Sequence, residues 1–103
     1  MPWYAIRTVY QFGVKADGKN VFEERIVSLQ ASDWDEAHAK AKAESRAYEN
    51  DADVTAHPQR DGYEQDGESL IDGYEIWSEL FESSLSLEDF FADRYSKHEY
   101  HPE

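Results

Sequence analysis

The sequence predicts a single α+β domain in which two strands and a helix are followed by a third strand and a short second helix. Two β-type segments joined by an Asp-Gly turn fill the first 31 residues, and small apolar side chains then recur at helical spacing up to residue 49. Apolar residues return at 70–81 and 87–95. We therefore expect a β-β-α-β-α chain whose three-stranded, mainly antiparallel sheet carries one helix on a face.

The first two strands are predicted to form a hairpin. Residues 3–12, WYAIRTVYQF, are rich in aromatic and β-branched side chains and contain neither glycine nor proline. Asp17-Gly18 suits the turn, because glycine adopts positive φ at little cost. Residues 21–31 return as the second strand, but their alternation is imperfect, so we expect a bulge near Ile26 and Val27.

The remaining elements follow from spacing and capping signals. Ser32 is expected to open the helix, whose buried stripe is formed by Trp34, Ala37, His38, Ala41, Ser45 and Tyr48. Residues 50–69 have the composition of an acidic loop, residues 70–81 that of a third strand, and Ser84 or Ser86 is expected to cap the short helix. The domain would span residues 1–97, with 98–103 as a flexible tail.

Composition limits the class of protein. The chain has 103 residues, of which 40% are hydrophobic and 15% aromatic, too many for a disordered segment. It contains no cysteine, which excludes disulfides, thiolate zinc sites and cysteine nucleophiles. Neither a secretory signal nor an apolar run of roughly 20 residues is present, so we expect a cytoplasmic protein with no membrane contact.

Negative charge is concentrated in the second half of the chain. The net charge is −13, and residues 61–103 hold thirteen of the 23 acidic residues but two of the ten basic ones. Such a surface repels phosphate backbones, so direct nucleic-acid binding is disfavoured. It would speed the encounter with a basic protein, although good solvation of an acidic protein is an equally ordinary reason for such charge.

The sequence offers weak signals for metal binding and none for catalysis. DGYEQDGES, residues 61–69, lacks the regular oxygen spacing of a calcium loop. His98 and His101 have the H-x-x-H spacing of zinc ligands but lie at the end of the chain without a third ligand. No nucleophile elbow or phosphate-binding glycine loop occurs. We expect no enzyme activity, no cofactor and no metal.

Arg7 and Glu24 form a second candidate site. A hairpin around residues 17–18 brings these two side chains within a few residues of each other on neighbouring strands. One interpretation is a cross-strand ion pair that fixes the register, a contact that contributes about 0.2–1 kcal/mol. The other is an anionic small ligand bound through Arg7.

Several motifs carry a resemblance to a known family. WYAIR opens the first strand, EERIV lies in the second, DEAHAKA in the helix, and Asp89 to Tyr95 forms a closing D-x-x-x-x-R-Y. These segments resemble a family of small bacterial proteins that is known as a domain of unknown function. By analogy, small cytosolic proteins of this kind are often immunity partners of bacterial toxins.

We therefore expect an acidic protein-binding module, in its most concrete form an immunity-type inhibitor of a bacterial toxin such as a nuclease. Asp-Gly-Tyr-Glu occurs twice in the acidic region and places tyrosines beside carboxylates. The predicted partner-binding residues are Tyr63, Glu64, Asp66, Glu68, Asp72, Glu75 and Trp77. The alternatives are a DNA mimic that blocks a DNA-binding protein and a small-ligand or catalytic domain that uses Arg7. Homodimerisation through a free sheet edge or the aromatic second face is also left open.

Overall fold

The computed structural model describes residues 1–65, 72–73, 75–77 and 80–102, and within them the chain is an α+β protein with a four-stranded antiparallel sheet and two helices. A π-helical turn, Ala92–Ser96, directly continues the second helix. In chain order the elements are β1 (Trp3–Val14), β2 (Asn20–Gln30), α1 (Trp34–Ala52), β3 (Thr55–Ala56), β4 (Asp61–Glu64) and α2 (Leu87–Phe91).

The predicted hairpin of β1 and β2 is confirmed, but the predicted bulge is wrong. The ladder is regular from the pair Trp3 and Gln30 onward, and its register shifts between Gln11 and Gly13. Alternation in β2 looks broken because Glu23 and Arg25 share a face with Val27 rather than pointing to water. The helix supplies partners for both polar side chains, so no bulge is needed to keep them on that face.

The third strand of the sheet lies where the sequence predicts a loop. Both β3 and β4 pair with β1 along the same side, opposite residues 10–11 and 4–7 respectively. Residues 57–60 interrupt this edge, and Pro58 among them has no N–H for a ladder. Within the predicted strand 70–81, residues 72–73 form a turn and residues 75–77, 80 and 81 form no strand, while the others lie outside the described residues.

The core lies between α1 and the sheet face that carries Tyr4, Ile6, Thr8 and Tyr10, which we call the helix face. Ala37, Ala41 and Ser45 are buried on α1 as predicted, and their small size lets the helix approach the sheet closely. The edge of the Tyr4 ring meets the Trp34 ring, with 4.7 Å between the ring centres. His38 is exposed, contrary to prediction, because it lies at the flank of this stripe.

Both helix starts are fixed by side-chain caps. The cap of α1 is Asp33 rather than Ser32: its carboxylate accepts the N–H of Glu36 at 2.8 Å. The Glu36 carboxylate in turn accepts the Ser32 N–H, so the two acids bridge the first turn in both directions. Ser86, one of the two predicted caps, caps α2 by accepting the Asp89 N–H.

The chain beyond β4 returns to the opposite sheet face, which we call the outer face and which carries Ala5, Arg7, Val9, Phe22, Glu24 and Ile26. Trp77 contacts Arg7 there, and the Lys15 ammonium donates to the His101 carbonyl at the far end of the hairpin. The predicted tail thus includes two residues that contact Lys15 of the hairpin, Tyr100 through its ring and His101 through its carbonyl. Within the described residues, no helix is both long and apolar enough to cross a membrane.

Candidate functional site

Three of the predicted partner-binding residues lie together on the outer face. The Tyr63 hydroxyl donates to the Glu75 carboxylate at 2.5 Å, and the rings of Tyr63 and Trp77 have centres 6.0 Å apart. β4 places Tyr63 opposite Ala5, so its ring projects from the same face as Arg7. We call Arg7, Asp61, Tyr63, Glu75 and Trp77 the outer cluster.

Arg7 is the centre of the outer cluster, and its ion-pair partner is not the predicted one. Its Nη2 donates to Asp61 Oδ2 at 2.7 Å, and its guanidinium lies 5.1 Å from the centre of the Trp77 ring. The register places Ile26 opposite Arg7 and Glu24 opposite Val9, two pairs further along the ladder. The Glu24 carboxylate instead lies 3.9 Å from Arg94. A cross-strand ion pair does form, but it joins β1 to β4 rather than to β2.

The other predicted residues are dispersed. Glu64 faces the helix side beside Tyr4, and burial followed by a hydrogen bond to Glu64 raises the pKa of the Tyr4 hydroxyl. Asp72 is exposed in a turn that Gly73 completes with φ of 81°. Asp66 and Glu68 lie outside the described residues. Alternation along β4 therefore separates Tyr63 from Glu64, although the two are neighbours in the repeated motif.

The carboxylates of residues 61–102 point outward. All nine that the structure describes are exposed, and within the described chain only two of them pair with a basic side chain, Asp61 with Arg7 and Asp93 with Lys97. The bond from Lys97 lowers the pKa of the Asp93 carboxyl group. Internal pairing therefore leaves most of this charge directed at solvent or at a partner.

Apolar side chains accompany these carboxylates on α2 and the turn after it. Leu87, Phe91 and Tyr95 are more than half exposed, and Glu88 and Asp89 belong to the same helix. A helix that presents large apolar groups next to acids resembles the anchor and rim composition of a protein interface more than a purely solvating surface.

The described residues give no support for a metal centre. They contain no group of three or more His, Asp or Glu side chains placed to hold a metal ion. His101 of the H-x-x-H motif contacts Lys15 through its backbone carbonyl, which leaves the backbone at this position engaged with the hairpin.

Sequence reasoning missed a basic cleft on the helix side. It has a volume of about 560 Å³, and α1 forms one wall while the interrupted edge of the sheet forms the other. The lining residues are His38, Lys42, Arg46, Glu49, Ala56, Pro58 and Arg60. The available signal was the i, i+4, i+8 spacing of His38, Lys42 and Arg46, which places three basic types along one side of α1.

Fold and surface together define a small α+β protein with an acidic C-terminal part, exposed apolar anchors and a separate basic cleft. A family model described as a domain of unknown function, DUF4288, matches residues 3–84, and the chain belongs to this family. The matched range includes the hairpin, α1 and the edge strands and ends before the closing D-x-x-x-x-R-Y motif. Neither a curated protein nor a solved structure matches the chain.

Proposed function

We propose that this protein is a protein-binding module that presents the acidic surface of its C-terminal part to a basic protein partner. The supporting observation is the combination of nine exposed carboxylates, seven of them without a basic partner in the described chain, with exposed aromatic and aliphatic side chains beside them. Charge of one sign steers the encounter, and buried aromatic anchors then supply affinity.

In its most concrete form the proposal is an immunity-type inhibitor of a bacterial toxin. A nuclease fits this surface chemically, because its active site must attract a polyanion and therefore has a positive cleft. The partner-facing residues would be Asp72 and Glu75 for charge, with Tyr63 and Trp77 as rigid aromatic contacts. The hydrogen bond from Tyr63 to Glu75 holds one carboxylate at a fixed place before the partner arrives, which reduces the ordering cost of binding.

The test begins with affinity capture from the host, followed by identification of the retained protein and its direct titration. The test variant combines Asp72→Lys and Glu75→Lys. The matched control combines Asp35→Lys and Asp51→Lys, two exposed carboxylates of α1 that change the net charge by the same amount. We expect the test variant to weaken binding by at least about tenfold, or roughly 1.4 kcal/mol, and the control by much less.

Salt dependence and folding separate the outcomes. Affinity for the partner should fall as the salt concentration rises, because exposed charges are screened within about 8 Å at physiological ionic strength. Circular dichroism and thermal melting should show that both variants stay folded. The proposal is rejected if no basic protein is retained, or if the test and control variants bind the captured partner equally well.

A further inference from the structure

The basic cleft differs from the rest of the surface because most Lys and Arg side chains outside it are paired with carboxylates in the described chain. Of ten Lys and Arg residues, six lie within 4 Å of a carboxylate in the described chain: Arg7, Lys15, Arg25, Lys40, Arg94 and Lys97. Four remain, and three of these, Lys42, Arg46 and Arg60, line the same cleft. In a protein with net charge −13 and 23 acidic residues, three cations that have no carboxylate partner in the described chain thus lie in one place.

The acidic residue at the cleft does not neutralise these cations. Glu49 lines it, but its carboxylate accepts the backbone N–H of Ala56 at 3.1 Å and thereby ties α1 to β3. No salt bridge joins Glu49 to a cation of the described chain. The cleft therefore keeps two positive charges in excess at neutral pH even when Glu49 is counted.

Arg60 is held in place from behind. Its Nη2 donates to Ser45 Oγ at 3.0 Å, and the buried Ser45 hydroxyl also bonds to the Tyr10 hydroxyl at 2.8 Å. The Nε of Arg60 is buried and has no hydrogen-bond partner among the described residues. Arg60 Nη1 donates to the Pro58 carbonyl at 3.4 Å, so core and backbone groups together fix the guanidinium at the wall of the cleft.

The interruption of the edge strand places Arg60 at the basic cleft. Residues 57–60 connect β3 to β4. These four residues lie opposite only two residues of β1, so the edge strand contains two extra residues at this point. Pro58 and Ala56 supply the apolar part of the same wall. The wall thus offers a small apolar surface next to a fixed cation.

We propose that this cleft binds a phosphorylated organic small molecule. Three cations match the multiple negative charge of a phosphate group better than the single charge of a carboxylate, and guanidinium groups bind phosphate oxygens in pairs. The volume, about 560 Å³, exceeds what inorganic phosphate needs and falls within the roughly 300–1,000 Å³ range of organic ligand sites. The apolar wall would contact the organic part. This site is separate from the acidic surface and does not depend on the proposed protein partner.

The experiment titrates the full chain with pyrophosphate and, in parallel, with succinate at the same ionic strength. Amide chemical shifts report the location of binding, and calorimetry reports the affinity. Pyrophosphate should bind in roughly the millimolar range or tighter and should shift the amides of residues 38–46, 56–57 and 59–60. Near-physiological salt is suitable, because it screens distant carboxylates while local contacts persist.

The test variant is Lys42→Gln combined with Arg46→Gln, both exposed positions on α1 whose replacement leaves the core intact. The matched control is Lys19→Gln, the fourth unpaired cation, which lies at the hairpin turn. We expect the test variant to weaken pyrophosphate binding about tenfold or more, since it removes two cations that can form charge-assisted hydrogen bonds to phosphate oxygens. Lys19→Gln should change it less than about twofold.

Three results would overturn the proposal. One is the absence of shifts at these amides with pyrophosphate at about 10 mM, an affinity too weak for a built site. Another is equal weakening by the test variant and by Lys19→Gln, which would indicate nonspecific attraction. The third is preferential binding of succinate, which would assign the cleft to carboxylates instead of phosphates.

Discussion

The two faces of the sheet differ in how their polar side chains on and beside β1 are partnered. On the helix face, Arg25 bonds Glu44 of α1 at 2.9 Å and stacks on Tyr48, whose hydroxyl donates to Glu23. On the outer face, Arg7 also has an ion pair and an aromatic ring, but Ile26 opposite it and Phe22 farther along β2 are exposed. The helix face is thus closed by internal partners, whereas the outer face still has apolar area to bury. Stability therefore resides mainly in the helix face, and the proposed partner surface includes the outer face.

The sharpest test of this difference compares two isoleucines on opposite faces. Ile6 is completely buried on the helix face, whereas Ile26 is 46% exposed on the outer face. Ile6→Ala should lower the free energy of unfolding by about 2–5 kcal/mol, because it leaves a cavity, and Ile26→Ala by less than about 1 kcal/mol. Urea denaturation measures both, and equal losses would contradict the assignment of stability to the helix face.

A glycine under the helix gives the next largest effect. A Cβ added at Gly62 would lie 2.9 Å from Cη2 of Trp34 and 3.1 Å from Cδ1 of Ile6. The Trp34 ring packs edge-on against Tyr4, so moving it away from the added methyl group would disturb this contact. Gly62→Ala should therefore cost about 1–3 kcal/mol of stability by overpacking.

The double variant Trp34→Phe with Gly62→Ala is the control for this clash. The smaller ring of phenylalanine leaves room for the added methyl group. The double variant should therefore lose less unfolding free energy than the sum of the losses of the two single variants. Strict additivity of the melting data would mean that the clash is not the cause of the destabilisation.

The outer cluster should show a modest coupling. A double-mutant cycle with Arg7→Lys and Trp77→Leu should give an interaction energy of about 0.5–1 kcal/mol, since lysine does not reproduce the planar stacking of a guanidinium. The matched cycle pairs Arg7→Lys with Trp3→Leu, because the Trp3 ring on the same strand has no cation over it in the described chain. Coupling of equal size in both cycles would show that the Trp77 ring is not the specific partner.

The smallest expected effect is a pH dependence on the helix face. The hydrogen bond to Glu23, followed by burial, raises the pKa of Tyr48 in the folded protein above its unfolded value of about 10. The hydroxyl group's contribution is therefore complete below the unfolded pKa and is lost as the pH rises through the folded pKa. The difference in the free energy of unfolding between wild type and Tyr48→Phe should therefore become smaller as the pH rises from about 8 to 11.

Tyr95→Phe serves as the reference for this alkaline series. The Tyr95 hydroxyl has no hydrogen-bond partner in the described chain, and the residue is exposed. Chemical denaturation at each pH should leave its gap to wild type unchanged. A gap for Tyr48→Phe that stays constant with pH would argue against the Glu23 bond as its source.

Local patterns predicted the hairpin, α1 and α2 to within about three residues, because each is specified by its own alternation, spacing or cap. The position of the third strand was not predictable in this way. Asp61 and Gly62 lie in that strand because of Arg7 and Trp34, which are far away in sequence. An edge strand that pairs on one side and contains a proline has too few apolar residues to show period-two alternation.

The candidate sites were predictable in part for the same reason. Exposure of the carboxylates of residues 61–102 follows directly from composition and is found for all nine that the structure describes. The basic cleft depends on Arg60, which reaches Ser45 only because the edge strand is interrupted between residues 57 and 60. Residue types along α1 alone did not distinguish a ligand site from a solvated helix side.

The interrupted edge also limits how copies of this protein can associate. Strands of two and four residues with Pro58 between them offer no continuous row of backbone donors, so this border of the described sheet resists the addition of a further strand. The opposite border, β2, runs unbroken for 11 residues. Strand addition through the borders of the described sheet would therefore join β2 of one copy to β2 of another, a two-fold arrangement. Association by this route would end at a pair of copies.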